Sequence, residues 1–200
     1  MGKAADNKQK KREALLNTAF KLFTTKGINN TSVSDITEQA GVAKGTFYLY
    51  FKDKYDINNI LVAKKATLLF DASLQKMKEN NIQNFIDKLL FITNDIVDAL
   101  SENRRLLTFI SKNLGLGVFR FAVENAKITE NPSVVEAYQK ILEGEEENIS
   151  NPKLMFYMII ELVGGCIYSS IFYSQPVPIE ELKPHLDKTI VSIVEQFKIK

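Results

Sequence analysis

The stretch TSVSDITEQAGVAKGTFYLYFKDK, residues 31–54, constrains this chain more than any other, because its punctuation sets two short helices around a glycine turn. Thr31 and Ser32 supply hydroxyls that can cap the first N–H groups of a helix, and Asp35 puts a carboxylate in the first turn, where the helix dipole favours it. Ile36 and Ala40 fall four apart and give that helix one apolar side. Gly41 reads as a glycine stop, and Val42 as the apolar residue that packs back onto the helix end. A second helix from Lys44 to about Tyr50 carries Phe47 and Phe51 on one side and Lys44 and Tyr48 on another. Helix, glycine turn, helix is an arrangement that holds the second helix proud of its scaffold, where it can enter the major groove of duplex DNA.

Charge agrees with that reading. The chain of 200 residues has a net charge of +2, but the sign is unevenly placed. Residues 1–54 carry ten Lys/Arg against five Asp/Glu, a balance of +5, and residues 55–200 carry a balance of −3. Positive charge gathered at one end points to a polyanionic partner there. The plainer alternative, a solvated basic tail, loses ground beside a helix-turn-helix. Lys8, Lys10, Lys11 and Arg12 lead a first helix over 8–25, whose stripe is Leu15, Leu16, Ala19, Phe20, Leu22 and Phe23. Gly27 ends it.

The segment resembles the signature of the TetR family of bacterial repressors. The matching residues include Thr31, Ser32, Asp35, Gly41, Val42, Lys44, Gly45, Thr46, Phe47, Tyr48, Tyr50, Phe51 and Lys54. As sequence the likeness covers about residues 12–60; beyond that it continues only as length and helix pattern. It implies an all-α fold, with an N-terminal three-helix helix-turn-helix domain (1–54). A long helix joins this to a larger helical ligand-binding and dimerisation domain (55–200), making about nine helices in all. It also implies a cytoplasmic regulator of transcription, most simply a repressor. Such a protein binds a palindromic DNA operator as a homodimer and is released by a small-molecule inducer.

By position the resemblance places DNA contacts on Lys44, Gly45, Thr46, Tyr48 and Tyr50, with Lys54 just beyond. Their chemistry differs. Lys44 can donate to guanine O6/N7 or to a phosphate, and Gly45 permits a close approach. Thr46 can touch a base edge or a thymine methyl, and Tyr48, Tyr50 and Lys54 can donate to phosphates. Ser32 and Ser34 can do the same from the first motif helix, while Thr31 serves as a cap. The alternative is that Tyr48 and Tyr50 pack locally and Lys54 only solvates a helix start. Phe47, Phe51, Ile36, Ala40 and Val42 are assigned to a small core.

Further along, Asp53 reads as the N-cap of a long helix to about Glu79, Ile82–Leu100 as another, and Asn103–Asn113 as a short one. Leu114–Gly117 interrupts, and helices over 118–128 and 133–147 follow. Asn151-Pro152 is a cap and first-turn pair for a helix to about Tyr173. One turn over Ile179–Leu182 then precedes a helix that Pro184 restarts and that ends near Phe197. Leu154–Tyr173 is apolar nearly all round and has the length of a membrane span. Glu161 near its middle, Gly164-Gly165 and two serines weigh against a span. A helix apolar on every face needs protein on every side. The expectation is a two-fold interface of helices near 153–173 and 184–197, where Leu186, Ile190, Ile193, Val194 and Phe197 add a second stripe.

An effector pocket is the weakest reading. Phe91, Phe109, Asn113, Leu116, Phe119 and Phe121 can line a cavity, with Glu161 as a carboxylate seeking a partner such as Arg104, Arg105 or Arg120. A filled core and an interface ion pair are the plainer alternatives. Nothing points to catalysis, a metal or a cofactor. The sole His185 and the sole Cys166 lack ligand or nucleophile spacing, and no GxSxG or phosphate-loop pattern occurs. Cys166 reads as a buried thiol in a reducing compartment and His185 as a surface residue. The opening MGKAADNKQKKREALL has no apolar core of a secretory signal. A constitutive DNA-binding dimer and a helical enzyme stand as the alternatives to a ligand-released regulator.

Overall fold

The computed structural model describes residues 3–111, 139–145 and 148–199. Among these lie α1 (Lys3–Thr25), α2 (Val33–Ala40), α3 (Lys44–Tyr48), α4 (Lys54–Glu79), α5 (Phe85–Glu102), α6 (Arg104–Ser111), α7 (Pro152–Tyr173) and α8 (Ile179–Phe197). No strand occurs among the described residues; one isolated bridge pairs Ile149 with Lys198. The chain divides into two units, Met1–Val62 and Ala63–Lys200, and the division falls inside α4. The fold is all-α, as the sequence implies.

Local chemistry accounts for most of the helix ends. At α2, Ser32 Oγ accepts from the Asp35 N–H at 3.0 Å while Asp35 Oδ2 accepts from the Ser32 N–H at 2.8 Å, a reciprocal capping box. Thr31 does not share this work. It is buried, and its hydroxyl donates back to the Gly27 carbonyl at 2.8 Å, because Ser32 alone holds the extended N-cap position. Gly41 closes α2 at φ 68°, the left-handed region in which a side chain is strained. Its N–H bonds to Glu38 O and that of Val42 to Thr37 O, the paired bonds of a Schellman stop. At α4, Asp53 Oδ1 accepts from the N–H groups of Tyr55 and Asp56, both at 2.8 Å, as expected of an N-cap.

Several boundaries differ from the sequence reading, among them the start of α1, which lies at Lys3 and not at residue 8. Helix α3 stops at Tyr48, with Leu49 at its C-cap, and the chain closes by bonds from Tyr50 and Phe51 N–H to Phe47 O. Helix α5 begins at Phe85, not Ile82, because the Asn84 side chain caps it by accepting from Ile86 and Asp87 N–H. Pro184 does not restart a helix; α8 runs through it from Ile179. A proline there removes one N–H close to the helix start, and burial of Leu186, Ile190, Ile193 and Val194 outweighs that loss. The helices read over 118–128 and most of 133–147 lie outside the described residues. Residues 139–142 are helical and bury Ile141 and Leu142.

In the first unit Leu15, Leu16 and Ala19 of α1 are buried, together with Ile36, Phe47, Phe51 and Ile57. In the second, Leu89 and Ile92 of α5, Met155 and Ile159 of α7 and Ile190 and Val194 of α8 belong to one core. Polar bonds tie α5 to its neighbours. Asp95 accepts from the Ser73 hydroxyl and the Lys76 ammonium of α4, both at 2.6 Å. Asn94 Nδ2 donates to Asp187 at 2.8 Å, and Lys183 donates to both oxygens of Asp98 at 2.7 and 2.8 Å.

Helix α7 is long and apolar enough to cross a membrane, with a mean hydropathy of 1.7 over its most apolar window. Its faces differ, however. Met155, Phe156, Ile159, Ile167 and Ile171 are buried, whereas Leu154, Met158, Glu161, Gly165 and Ser169 recur at helical spacing on an exposed stripe. The apolar row of α8, read as part of a subunit interface, is already covered inside the chain. What α8 exposes is polar: Glu181, His185, Lys188, Ser192 and Glu195. Cys166 is half-buried.

Candidate nucleic-acid interface and effector cavity

Helix α3 is seated by aromatic packing. The rings of Phe47 and Phe51 lie 5.4 Å apart, and both side chains are buried. The Arg12 guanidinium of α1 sits over the Phe51 ring at 5.8 Å, a cation–π contact. With Phe47 turned inward, the opposite side of α3 faces out. Lys44 and Gly45 are exposed, Thr46 is half-buried, and Tyr48 is 55% exposed. The structure therefore leaves three of the sequence-derived candidates, Lys44, Gly45 and Tyr48, exposed on α3, with Thr46 half-buried beside them. A Cβ placed on Gly45 meets nothing within 4 Å, so nothing in the chain itself requires glycine there.

Other candidates sit elsewhere. Tyr50 is half-buried, and its hydroxyl donates to the Lys8 carbonyl of α1 at 3.1 Å, which matches the local-packing alternative. Lys54 is not a solvated cation. Its ammonium donates to the carbonyls of Ile28 (2.9 Å), Asn29 (3.3 Å) and Thr31 (3.1 Å), three acceptors for its three hydrogens. It staples the start of α4 to the α1–α2 turn, and an ammonium so engaged has no hydrogen left for a phosphate. Ser32 is exposed within the capping box and Ser34 is half-buried. The Asp35 carboxyl is held below the usual carboxylate range, first by the Ser32 backbone N–H and then by the Ser32 side chain.

One residue was missed. Leu49 is 76% exposed, beside Tyr48 on the outward face. Its signal was the phase of Phe47 and Phe51: if those point inward, residues 48 and 49 must point out. A leucine left bare at the end of this helix suits a thymine methyl or a deoxyribose face.

The second unit contains a cavity of about 80 Å³, walled by α4, α5, α6, α7 and Ile141. Ala66, Ile96, Leu100, Ile110, Phe156 and Ile160 are among its lining residues, and among the described lining Thr93 brings the one side-chain hydroxyl. Of the sequence-derived pocket residues, the described ones, Phe91, Phe109 and Glu161, are not among the described lining. Phe109 is buried elsewhere in the core, and Phe91 is half-buried. Glu161 is exposed on the far face of α7, so within one chain its carboxylate needs no buried partner. Arg104, proposed as its counter-ion, lies over the Phe172 ring at 5.6 Å. Asn113, Leu116, Phe119, Arg120 and Phe121 lie outside the described residues.

Comparison with known proteins bears on the first unit most directly. Residues 15–58, which include all of α2 and α3, match the family model for bacterial regulatory proteins of the tetR family. The HTH-type transcriptional regulator YvdT of Bacillus subtilis is 40% identical over 68 residues, 34% of this chain and 33% of that protein. Several such relatives are matched over a third or less of their own length. The fatty acid metabolism regulator protein of the same organism is 26% identical over 165 residues, 82% of this chain and 81% of that one. Among solved structures, the fatty acid degradation regulator FadR from Bacillus halodurans superposes with a TM-score of 0.58 at 21% identity. It covers 89% of this chain and 93% of its own, a likeness of fold. All of these are named as regulators. Residues 15–58, with their helix-turn-helix built as the sequence implied, are thus similar to the DNA-binding segment of the tetR family of bacterial regulatory proteins, and the chain as a whole shares the fold of such regulators.

Proposed function

We propose that the chain is a repressor that grips a palindromic DNA operator as a homodimer and lets go when a small-molecule effector enters the second unit. The observation that carries this is the outward face of α3. Lys44, Gly45 and Tyr48 stand exposed, with Thr46 half-buried beside them, on a helix whose inner side is anchored by Phe47 and Phe51. Lys44 and Thr46 read base edges, Tyr48 donates to a phosphate, and Gly45 lets the duplex come close. Ser32 and Ser34 flank them at the start of α2. Tyr50 and Lys54 act through the protein: one ties the segment after α3 to α1, the other holds the turn that leads into α2.

Dimerisation rests on α7. A stripe containing Leu154 (45% exposed) and Met158 (38% exposed) leaves apolar surface uncovered in a single copy. A Cβ at Gly165 meets nothing within 4 Å, so glycine there serves close approach by a second helix. Glu161 shares the stripe and would face the partner copy, while the polar outer side of α8 would form the rim. Two recognition helices about 34–36 Å apart, or a multiple, would then read successive turns of one face of DNA. An effector that prefers one of two states by about 1–3 kcal/mol shifts the population away from that spacing. The relative named for fatty acid metabolism aligns through most of both units, which supports an effector site in the second. Such a protein works in the cytoplasm, with no cofactor and no membrane.

The test is selection of bound duplexes from random DNA, followed by sedimentation of the free protein and its complex. An inverted-repeat site bound by two chains supports the reading. Gly165→Leu should give a folded, fully helical monomer that binds the same site far more weakly. A wild-type monomer that ignores every duplex at low salt overturns the proposal.

A further inference from the structure

The chemistry of the cavity in the second unit names its ligand more narrowly than the fold does, and this step rests on the effector reading above. We infer that the effector is an aliphatic chain, or an amphiphile whose saturated chain is the recognised part, with the chain buried between α5 and α7.

The volume, about 80 Å³, is several times the roughly 10–15 Å³ that admits one water. Each water held in such a space needs about two to four polar partners. The described lining provides one hydroxyl, Thr93, and otherwise hydrocarbon. Helical N–H and C=O groups along the walls bond to each other, so the backbone adds no further partners. Water is thus a poor occupant, and an apolar molecule a good one.

The walls also discriminate among apolar molecules. Seven of the sixteen described lining residues are isoleucine, three are leucine and two are phenylalanine. Isoleucine is stiff about its first side-chain torsion, which fixes the shape of the wall. Methionine, the residue that lets a promiscuous site remould itself, is absent from the described lining. No carboxylate among the described lining residues can neutralise a cation. Asp95 of α5 is already bonded to Ser73 and Lys76, and Glu161 of α7 faces outward. A bulky aromatic cation would bury its charge against isoleucine without a partner. A flexible saturated chain meets the same wall with dispersion contacts along its whole length.

The inference is tested by titrating the full-length dimer, without DNA, with four probes below their micellar concentrations. These are 1-decanol, sodium decanoate, decyltrimethylammonium and tetraphenylphosphonium. Calorimetry and the melting temperature give the readout. The three decyl probes should bind saturably, with one site per chain, whatever their head group, and tetraphenylphosphonium should bind at least tenfold more weakly. Ile96→Phe on α5 and Ile160→Phe on α7 each push a ring into the cavity from a different wall. Whichever folds should lose decyl affinity at least tenfold, with a melting temperature that no longer rises on adding decanol. Tetraphenylphosphonium binding as tightly as decanol overturns the inference, as does undiminished decyl affinity in both filled variants. DNA release is scored separately. Saturable decyl binding that leaves the operator complex intact upholds the cavity's ligand class and overturns release by effector. Absence of decyl binding, with operator binding preserved, overturns the ligand class alone.

Discussion

The outward face of α3 and the cavity of the second unit are built on different length scales. Around α3 the decisive bonds are local: Ser32 with Asp35, Gly41 with Glu38, Val42 with Thr37. The cavity is assembled from residues between Ala66 and Ile167, far apart in the chain, and its properties come from side chains that meet only after folding. A local device can be read off a short sequence and broken by one change. A distributed one is robust to single changes, and its chemistry shows only when the walls are assembled.

The largest effect expected from a single change is therefore in the first unit. Phe47 is fully buried beneath α3, and Phe47→Ala should cost about 3–5 kcal/mol. That is comparable to the whole stability of a domain this small. Calorimetry should show the first unit's transition abolished or moved far down, operator binding lost, and decanol binding by the second unit retained. A single transition that shifts as one piece would break the comparison, because the two units would then share one cooperative core.

Two glycines four residues apart give the next test, since they are glycine for opposite reasons. Gly41 sits at φ 68°, so alanine there should cost about 1–2 kcal/mol of stability and weaken DNA binding as a consequence. Gly45 lies in a helix with open space around it, so alanine should stabilise the free protein by up to about 1 kcal/mol. On the proposed reading, in which the duplex fills that space, it should nonetheless reduce operator affinity about tenfold or more. Thermal melts paired with fluorescence anisotropy separate the two cases. An unchanged affinity in Gly45→Ala would remove Gly45 from the interface.

The same contrast explains what the sequence could and could not show. Glycine, serine and aspartate at fixed offsets specified α2 and its stop, and the phase of two phenylalanines specified which side of α3 is buried. Lys54 was read as a phosphate ligand, and its bonds to the backbone carbonyls of residues 28, 29 and 31 were not foreseen because carbonyl positions leave no mark on composition. Glu161 was left between a pocket and an interface because α7 reads as apolar on all sides, and nothing local says which side its own core will take. The cavity escaped for the same reason. Phe91 and Phe109 look like pocket residues, whereas the walls are mostly plain isoleucine and leucine contributed by four helices and Ile141.

The role of Lys54 gives a smaller and sharper prediction. Replacing it with methionine keeps the stem and removes the ammonium, freeing the turn that precedes α2. Operator affinity should fall, by about tenfold at most, with the slope of log K against log salt unchanged. A direct phosphate ligand would instead lower that slope by about one. A reduced slope would return Lys54 to the interface.

The smallest effect belongs to the polar tie between α4 and α5. Burial pushes the Asp95 carboxyl up, but bonds from Lys76 and then Ser73 outweigh it and hold the group below its ordinary range. Lys76 is raised, chiefly by its bond to Asp95. A depressed carboxyl stabilises the fold above its unfolded value, about pH 3.9, and that help is lost as pH falls through the folded value. A raised ammonium helps below about pH 10.4 and ceases to help as pH climbs through its folded value. The tie is thus complete between about pH 5 and 9. The lysine is more than half exposed, so solvent screens most of the attraction. Asp95→Asn should lower the melting temperature of the second unit by no more than about 3 °C at pH 7. The difference from wild type should shrink toward zero below pH 4 and also shrink with added salt. A difference that persists undiminished at pH 3 would mean that Asp95 acts through hydrogen bonding and packing, independent of its charge.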